Sequence, residues 1–272
     1  MKKIKLKHYD MTFMYYPAIL LSVISVICYI IRLFNTTAAD IVFFLSTVLC
    51  LSYFIINRVS RKFFKAVLLL TALFYTAAYF FIGNSAFSLA AERLSQSVTS
   101  FSFFDCVFNT AGIFDFESLV LFSSYGGARL INGSIVSGVS NIVRANENSQ
   151  LVYYLSSRII LIFSLLGILL TERKNFKANL LLSAIMLISG NPAPALLLLL
   201  FTKPPVYFLA LLINFIGSAV VSWFEIKGVF VVAPSVFEII YHSNNLIMIL
   251  AVSLLFCAAS YIAVRIVTER KK

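Results

Sequence analysis

The chain alternates long apolar runs with short polar or basic segments. The apolar runs cover residues 14–34, 39–57, 66–83, 151–170, 206–223 and 246–267. Each is close to the length of helix, about 20 residues, that crosses a bilayer. The pattern predicts an all-α, polytopic integral membrane protein with about six to eight membrane-inserted segments, including one or two re-entrant hairpins. A single membrane domain is expected over residues 1–272, with three spans in residues 1–83.

One further apolar run, residues 179–201, is broken at its centre by the sequence Ser-Gly-Asn-Pro-Ala-Pro, residues 189–194. Proline lacks an amide donor and collides with the preceding helical turn, whereas glycine permits backbone angles that other residues avoid. A broken helix is tolerated in hydrocarbon only where protein or a water-filled cavity takes up the freed backbone groups. Because such breaks often mark the substrate site of a transporter, this stretch is the first candidate site.

Residues 84–150 are less regular than the rest of the chain. Residues 86–104 have an amphipathic helical pattern, which indicates a helix that lies in the membrane interface. Residues 104–122 are apolar but carry three carboxylates, which either line a polar cavity or belong to a segment that stays at the interface. Residues 130–143 are rich in Gly, Ser and Asn and short for a span, which favours a re-entrant or discontinuous element.

Composition and charge narrow the class of protein. With 61% hydrophobic and 12% charged residues, the chain is too apolar for an ordinary soluble domain and has no loop that could hold a catalytic module. The net charge of +11 comes largely from short basic segments beside the apolar runs, at residues 2–7, 58–65, 173–177 and 270–272. Such segments set membrane topology and contact the lipid bilayer, so no nucleic-acid partner is expected. The four scattered cysteines predict neither a disulfide framework nor a metal site.

The positions of the basic segments lead to a parity argument. Basic loops stay in the cytoplasm, so both termini and the loops 58–65 and 173–177 are expected there. The chain must then cross the membrane an even number of times after residue 177, yet three apolar runs follow that loop. The conflict disappears if residues 179–201 enter and return on the cytoplasmic side, with the reversal at residues 190–194. The charge pattern and the proline pattern therefore both favour a re-entrant hairpin.

The break and the segment after it have a characteristic spacing, formed by Gly190, Pro194, Phe201, Pro204 and Tyr207. With this spacing, the chain from about residue 114 onward resembles the membrane permease (IIC) subunits of the bacterial phosphotransferase system of the glucose, maltose and N-acetylglucosamine type. The hairpin motif of that family is G-I-T-E-P-x-E-F followed by F-x-x-P-x-x-Y. Residues 181–184 and 228–237 are similar to the family's L-L-S-A segment and to its loop rich in glycine and phenylalanine. The resemblance implies a homodimer in the bacterial inner membrane that moves a sugar-like solute by alternating access and works with a separate phosphoryl-donor protein.

The chain departs from that family at the positions that contact the sugar. Ala193 and Leu196 replace the two glutamates of the motif, and Pro192 replaces its threonine. The segment 126–132, Gly-Gly-Ala-Arg-Leu-Ile-Asn, is similar to the family's G-x-H-H-x-x-N, with Arg129 in the second histidine position. Alanine cannot accept a hydrogen bond through its side chain or act as a base. Phosphorylation-coupled transport is therefore not expected, and the chain is at most the membrane subunit of a sugar phosphotransferase, with no catalytic residue.

The candidate solute-binding residues lie in the break and in the segment 126–132. They are Gly190, Asn191, Pro192, Ala193, Pro194, Arg129 and Asn132. Asn191 either contacts a solute hydroxyl or caps a half-helix. Arg129 and Arg158 are also candidates to pair with the carboxylates of residues 104–122. No cofactor and no metal ligand set is predicted.

Three functions remain open on the sequence alone. The first is a carrier or binder of a sugar-like solute. The second is a non-transporting scaffold or regulatory subunit that retains the permease fold. The third is an intact phosphotransferase permease with the motif in another register, although no glutamate occurs between Glu172 and Glu225. A carrier should have several inward-facing hydrogen-bonding side chains, whereas a scaffold should have an apolar, filled interior.

Overall fold

The computed structural model describes residues 12–32, 36–59, 62–81, 106–107, 110, 129–131, 134–136, 151–224, 226, 235–242 and 246–269. Within them the helices are α1 (Thr12–Arg32), α2 (Thr36–Arg58), α3 (Lys62–Phe81), α4 (Leu151–Leu170), α5 (Phe176–Ser189), α6 (Ala193–Thr202), α7 (Pro204–Trp223), α8 (Val236–His242) and α9 (Leu246–Glu269). A 3₁₀ turn, Arg173–Asn175, joins α4 to α5. Two short strands, β1 (Arg129–Ile131) and β2 (Ser134–Val136), precede α4.

Four of the described helices are long and apolar enough to cross a membrane. The spanning windows are Met14–Ile31 in α1, Ile41–Arg58 in α2, Pro204–Trp223 in α7 and Leu246–Val267 in α9. Two shorter apolar helical stretches lie between them in the chain, Arg158–Leu170 and Ala193–Thr202. The predicted helical architecture is therefore confirmed at the level of four candidate spans. The apolar runs 66–83 and 151–170 are helical as well, in α3 and α4.

The two strands are the exception to the helical architecture. They pair in antiparallel register, with Arg129 opposite Val136 and Leu130 opposite Ile135. The dipeptide Asn132-Gly133 lies between them in the sequence, and Asn-Gly is a strong signal for a two-residue hairpin turn. The start of the expected re-entrant element at 130–143 therefore contains paired strands, and the rest of that element lies outside the described residues. The amphipathic helix expected at residues 86–104 lies outside the described residues.

The helices form two groups that meet at α5. In the first group α1 contacts α2, α5 and α6, and in the second α4 contacts α7 and α9, while α5 also contacts α4. Small residues allow close approach in the second group, because a Cβ at Gly167 of α4 would overlap the backbone oxygen of Cys257 in α9. Glycine at such contacts is typical of helix packing in membranes. The buried core runs through both groups, and every residue of α6 from Ala193 to Leu199 is buried.

Candidate functional site

The chain reverses direction between α5 and α6. Glu172 precedes the 3₁₀ turn before α5, and Lys203 follows α6 directly, yet Lys203 Nζ lies 2.9 Å from Glu172 Oε2. At 1.5 Å per residue, α5 and α6 are about 21 and 15 Å long, so a continuous path would separate the two residues by more than about 35 Å. The ion pair therefore requires that α5 and α6 form a helical hairpin. Its base is the pair Glu172–Lys203, and its tip is the break at residues 190–192.

Glycine and proline build the tip in different ways. Gly190 ends α5 in the left-handed conformation, with φ 66° and ψ 14°, and its N–H donates to the carbonyl oxygen of Met186 at 2.9 Å. A glycine in this conformation is the usual C-terminal cap of a helix. Ala193 and Pro194 begin α6, where the missing amide hydrogen of proline has no helical partner to lose. The break is therefore shorter than the predicted residues 190–194.

Asn191 organises the tip through three hydrogen bonds. Its Oδ1 accepts from the backbone N–H of Ala193 at 3.0 Å, and its backbone N–H donates to Ser189 Oγ at 3.3 Å. Its Nδ2 donates to Ser25 Oγ of α1 at 3.1 Å. Pro192 is the N-cap residue of α6 and makes no side-chain cap bond, whereas Asn191, one residue earlier, forms an Asx turn that satisfies the first amide of α6. Of the two roles considered for it, the side chain therefore serves the end of the half-helix. Its contact with a solute remains a prediction.

Contacts with α1 and α2 fix the depth of the tip. The Tyr15 hydroxyl, in the first turn of α1, donates to Glu172 Oε2 at the hairpin base, at 3.1 Å. Ser25, which contacts the tip, is ten residues further along α1, or about 15 Å at 1.5 Å per residue. Arg58 at the end of α2 donates from Nε to the carbonyl oxygen of Phe201 at 3.1 Å, near the end of α6. The start of α1, the end of α2 and the hairpin base therefore share one end of the molecule, and the tip reaches the middle of α1.

The serines of α1 at and one turn before the tip contact are satisfied within their own helix. Ser22 and Ser25 donate to the carbonyl oxygens one turn earlier in α1, both at 2.8 Å. Ala193 and Leu196, at the glutamate positions of the family motif, are fully buried. The hairpin itself, residues 176–202, contains no carboxylate. At its tip the described hairpin can offer hydrogen bonds from an amide, hydroxyls and backbone groups, and its one ionisable side chain, Lys177, lies in the first turn of α5.

The second predicted part of the site is described only in part. Arg129 lies in β1, and Asn132 lies outside the described residues, so their association with the tip stays a prediction. Arg158 is buried in α4, at 2% exposure. The carboxylates of residues 104–122 that were expected to pair with it are also outside the described residues.

The residue pattern did not predict the cluster at the hairpin base or the polar face of α5. Glu172 accepts from both Tyr15 and Lys203. Along α5, Asn179 and Ser183 are buried at 0% and 1% exposure, and neither Asn179 Oδ1 nor Ser183 Oγ has a hydrogen-bond partner among the described residues. Their spacing of four residues, which puts two polar side chains on one face of an apolar helix, is the signal that could have revealed this face.

Comparisons with known proteins do not assign this chain to a family or a function. No family model, no curated protein and no solved structure matches it.

Proposed function

We propose that the protein is a divergent membrane permease, similar to the IIC subunits of the phosphotransferase system, that binds or carries a sugar-like solute at the hairpin tip. The observation that carries this proposal is the hairpin itself, whose base lies at one end of the molecule and whose tip reaches the middle of α1. In transporters, discontinuous helices whose ends meet near the bilayer midplane form the sites for solutes and ions.

The hairpin is proposed to be re-entrant from the cytoplasmic side of a bacterial inner membrane. Arg58, Lys203 and the basic loop 173–177 all lie at its base, and basic segments favour the cytoplasm. With α5 and α6 entering and returning there, α7 and α9 bring the C-terminus back to the same side. The proposed protein has six to eight inserted segments, cytoplasmic termini and, from the family resemblance, a homodimeric assembly.

The tip suits an uncharged solute that carries hydroxyl groups. The C-terminal carbonyl groups of α5 and the N-terminal amides of α6 meet there, so acceptors and donors lie side by side. Asn191 Nδ2 has a second hydrogen beyond the one donated to Ser25. Since alanine replaces the motif glutamate at position 193, the solute is proposed to pass without phosphorylation. The carrier then works by alternating access around the tip rather than by group transfer.

A second function, a non-transporting scaffold or regulatory subunit, is favoured by the apolar surroundings of α6. Leu196, Leu197 and Leu198 are each buried to 1% exposure or less, and the described hydroxyls near the tip already have partners. An interior of this kind stabilises a fold without any solute. Such a subunit would act on a separate regulatory or phosphoryl-donor protein.

A binding screen separates these two functions. Purified protein is heated with a panel of sugars and sugar phosphates, because a ligand that binds only the folded state stabilises it by about 2.7 kcal/mol at one hundred times its Kd. We expect at least one sugar to raise the unfolding temperature, and Asn191→Ser and Pro194→Ala to reduce that increase. Ser46→Ala in α2, whose hydroxyl donates only to the Val42 carbonyl oxygen, is the matched control and should retain it. Folded protein that responds to no sugar would favour the scaffold.

A further inference from the structure

The hairpin base is tied to α1 through one carboxylate. Glu172 Oε2 accepts from Lys203 Nζ at 2.9 Å and from the Tyr15 hydroxyl at 3.1 Å. The side chains of Lys203 and Glu172 are 28% and 20% exposed, so the pair is partly shielded from solvent. Lys203 belongs to the link between α6 and α7, and Tyr15 belongs to α1. One charged group thus holds together three segments that are distant in sequence, and we call these three residues the latch.

Behind the latch, the buried face of α5 carries two polar atoms that no described residue satisfies. This face, from Asn179 to Ser189, contacts α1 and α4, and we call it the α5 seam. Asn179 Nδ2 donates to the carbonyl oxygen of Leu169 at 2.9 Å, but Asn179 Oδ1 and Ser183 Oγ have no partner among the described residues. The seam leads from the latch to Ser189, which accepts from Asn191 at the tip.

Two opposing contributions therefore act on the seam. Each buried acceptor without a partner disfavours the closed arrangement, because the group loses its hydrogen bonds to water. The latch favours the closed arrangement, because the Tyr15 hydrogen bond forms only when α1 and the hairpin base are together. The ion pair with Lys203 supports that bond by keeping the Glu172 carboxylate charged and in place. A segment with such a balance can change between two arrangements at small cost, which a gate requires.

We propose that the α5 seam is the path between the hairpin tip and the end of the molecule that carries the latch, and that breaking the latch opens it. In the open arrangement Asn179 Oδ1 and Ser183 Oγ accept hydrogen bonds from water or from the hydroxyls of a passing solute. The inference rests on the proposed carrier function, because a gate serves a protein that moves a solute. It differs from that proposal in naming the route and the residues that close it.

The test measures access of water to the seam and needs no solute. Ser183→Cys, which replaces one oxygen by sulfur, is labelled with a membrane-impermeant maleimide in sealed vesicles, and the signal of the native cysteines, measured without the reporter, is subtracted. We expect the initial labelling rate to rise about two- to fivefold in Glu172→Gln and in Lys203→Met, as for loss of a partly exposed ion pair. The charge exchange Glu172→Lys with Lys203→Glu restores the ion pair, and the new lysine can donate to the Tyr15 hydroxyl oxygen, so the rate should fall back towards that of the unmodified latch.

Three controls keep the result specific. Leu181→Cys lies on the exposed face of the same helix and should not respond to the latch variants. Lys174→Cys, exposed beside the latch, should label at once from that side and identifies the vesicle orientation. Thermal unfolding of each variant shows that it is folded.

Two results would overturn the inference. One is an unchanged rate at Ser183→Cys in folded latch variants, and the other is an equal increase at Leu181→Cys, which indicates general loosening. The labelling experiment needs no sugar, so its result does not depend on the sugar screen. A sugar screen without a hit rejects the proposed solute, and the labelling rates alone decide whether the seam opens.

Discussion

The hydrogen bonds of Asn191 allow a quantitative prediction for the tip. Replacement by alanine removes the acceptor for the buried N–H of Ala193 and the donor to Ser25 Oγ. Loss of a side-chain hydrogen bond to a free amide at the start of a helix costs about 0.5–2 kcal/mol. Loss of a single buried hydrogen bond costs about 1 kcal/mol more. Asn191→Ala should therefore lower the free energy of unfolding by about 1.5–3 kcal/mol.

Two further variants divide this loss between its two causes. Asn191→Ser keeps an acceptor that can reach the Ala193 amide, since serine forms a weaker version of the same turn, but its side chain is too short to reach α1. Ser25→Ala removes only the partner of Asn191 Nδ2. Each should cost about 1 kcal/mol. The double variant Asn191→Ala with Ser25→Ala should cost about 1 kcal/mol less than the sum of the single variants, because both remove the same bond.

The measurement is reversible unfolding in mixed micelles, with denaturing detergent as the titrant and helix content as the signal. Ser46→Ala is again the control, and an exposed change of this kind should stay within about 0.5 kcal/mol of the parent. A loss below about 0.5 kcal/mol for Asn191→Ala would refute the role of the side chain in holding the tip. Full additivity of Asn191→Ala and Ser25→Ala would refute the direct bond between the tip and α1.

Two other predictions concern glycines and use the same titration. Gly190→Ala should lower the free energy of unfolding by about 1–2 kcal/mol, the penalty for an L-residue in the left-handed conformation. Gly190→Asn should lower it by less, because asparagine tolerates that conformation. Equal losses for the two variants would argue against a conformational cause. Gly167→Ala should be more destabilising than Gly217→Ala, because the new Cβ at Gly167 meets the backbone of Cys257 and forces α4 and α9 apart. At Gly217 the new Cβ meets the side-chain Cγ2 of Ile160 at 2.8 Å, and that side chain can shift at a cost of about 1–3 kcal/mol. The reverse order would show that α4 and α9 are not packed as described.

The elements that could be predicted are those set by local composition. Run length and apolarity located α1, α2, α7 and α9, because a membrane-spanning helix depends on its own residues alone. The Gly-Asn-Pro sequence located the break, because the end of a helix at glycine and proline also depends on local residues. Its extent was overestimated, because Pro194 at the second position of α6 is compatible with a helix and only the backbone shows that the helix has already begun.

The features that could not be predicted depend on contacts between distant segments. Tyr15 and Glu172 are 157 residues apart in the chain, and no spacing rule connects them. Glu172 directly precedes the basic segment 173–177, and nothing local indicates that it accepts from a tyrosine of the first helix. The paired strands 129–131 and 134–136 are a different case, because the Asn-Gly dipeptide between them in the sequence is a local hairpin signal that the prediction for this stretch did not use.

The scarcity of polar groups at the tip constrains the solute more than the family resemblance does. A buried hydroxyl without a partner costs about 1–3 kcal/mol, so a hexose held only by the hairpin would lose more than Asn191 and a few backbone groups return. A hexose would therefore need partners from outside the described hairpin. Arg129 and Asn132 are the predicted source, because guanidinium and amide groups together supply several donors and an acceptor. If those residues do not reach the tip, the site suits a solute with fewer hydroxyl groups. If no such solute binds, the apolar environment of α6 favours the scaffold function. The distance of Arg129 from Asn191 is thus the quantity on which the choice between carrier and scaffold depends.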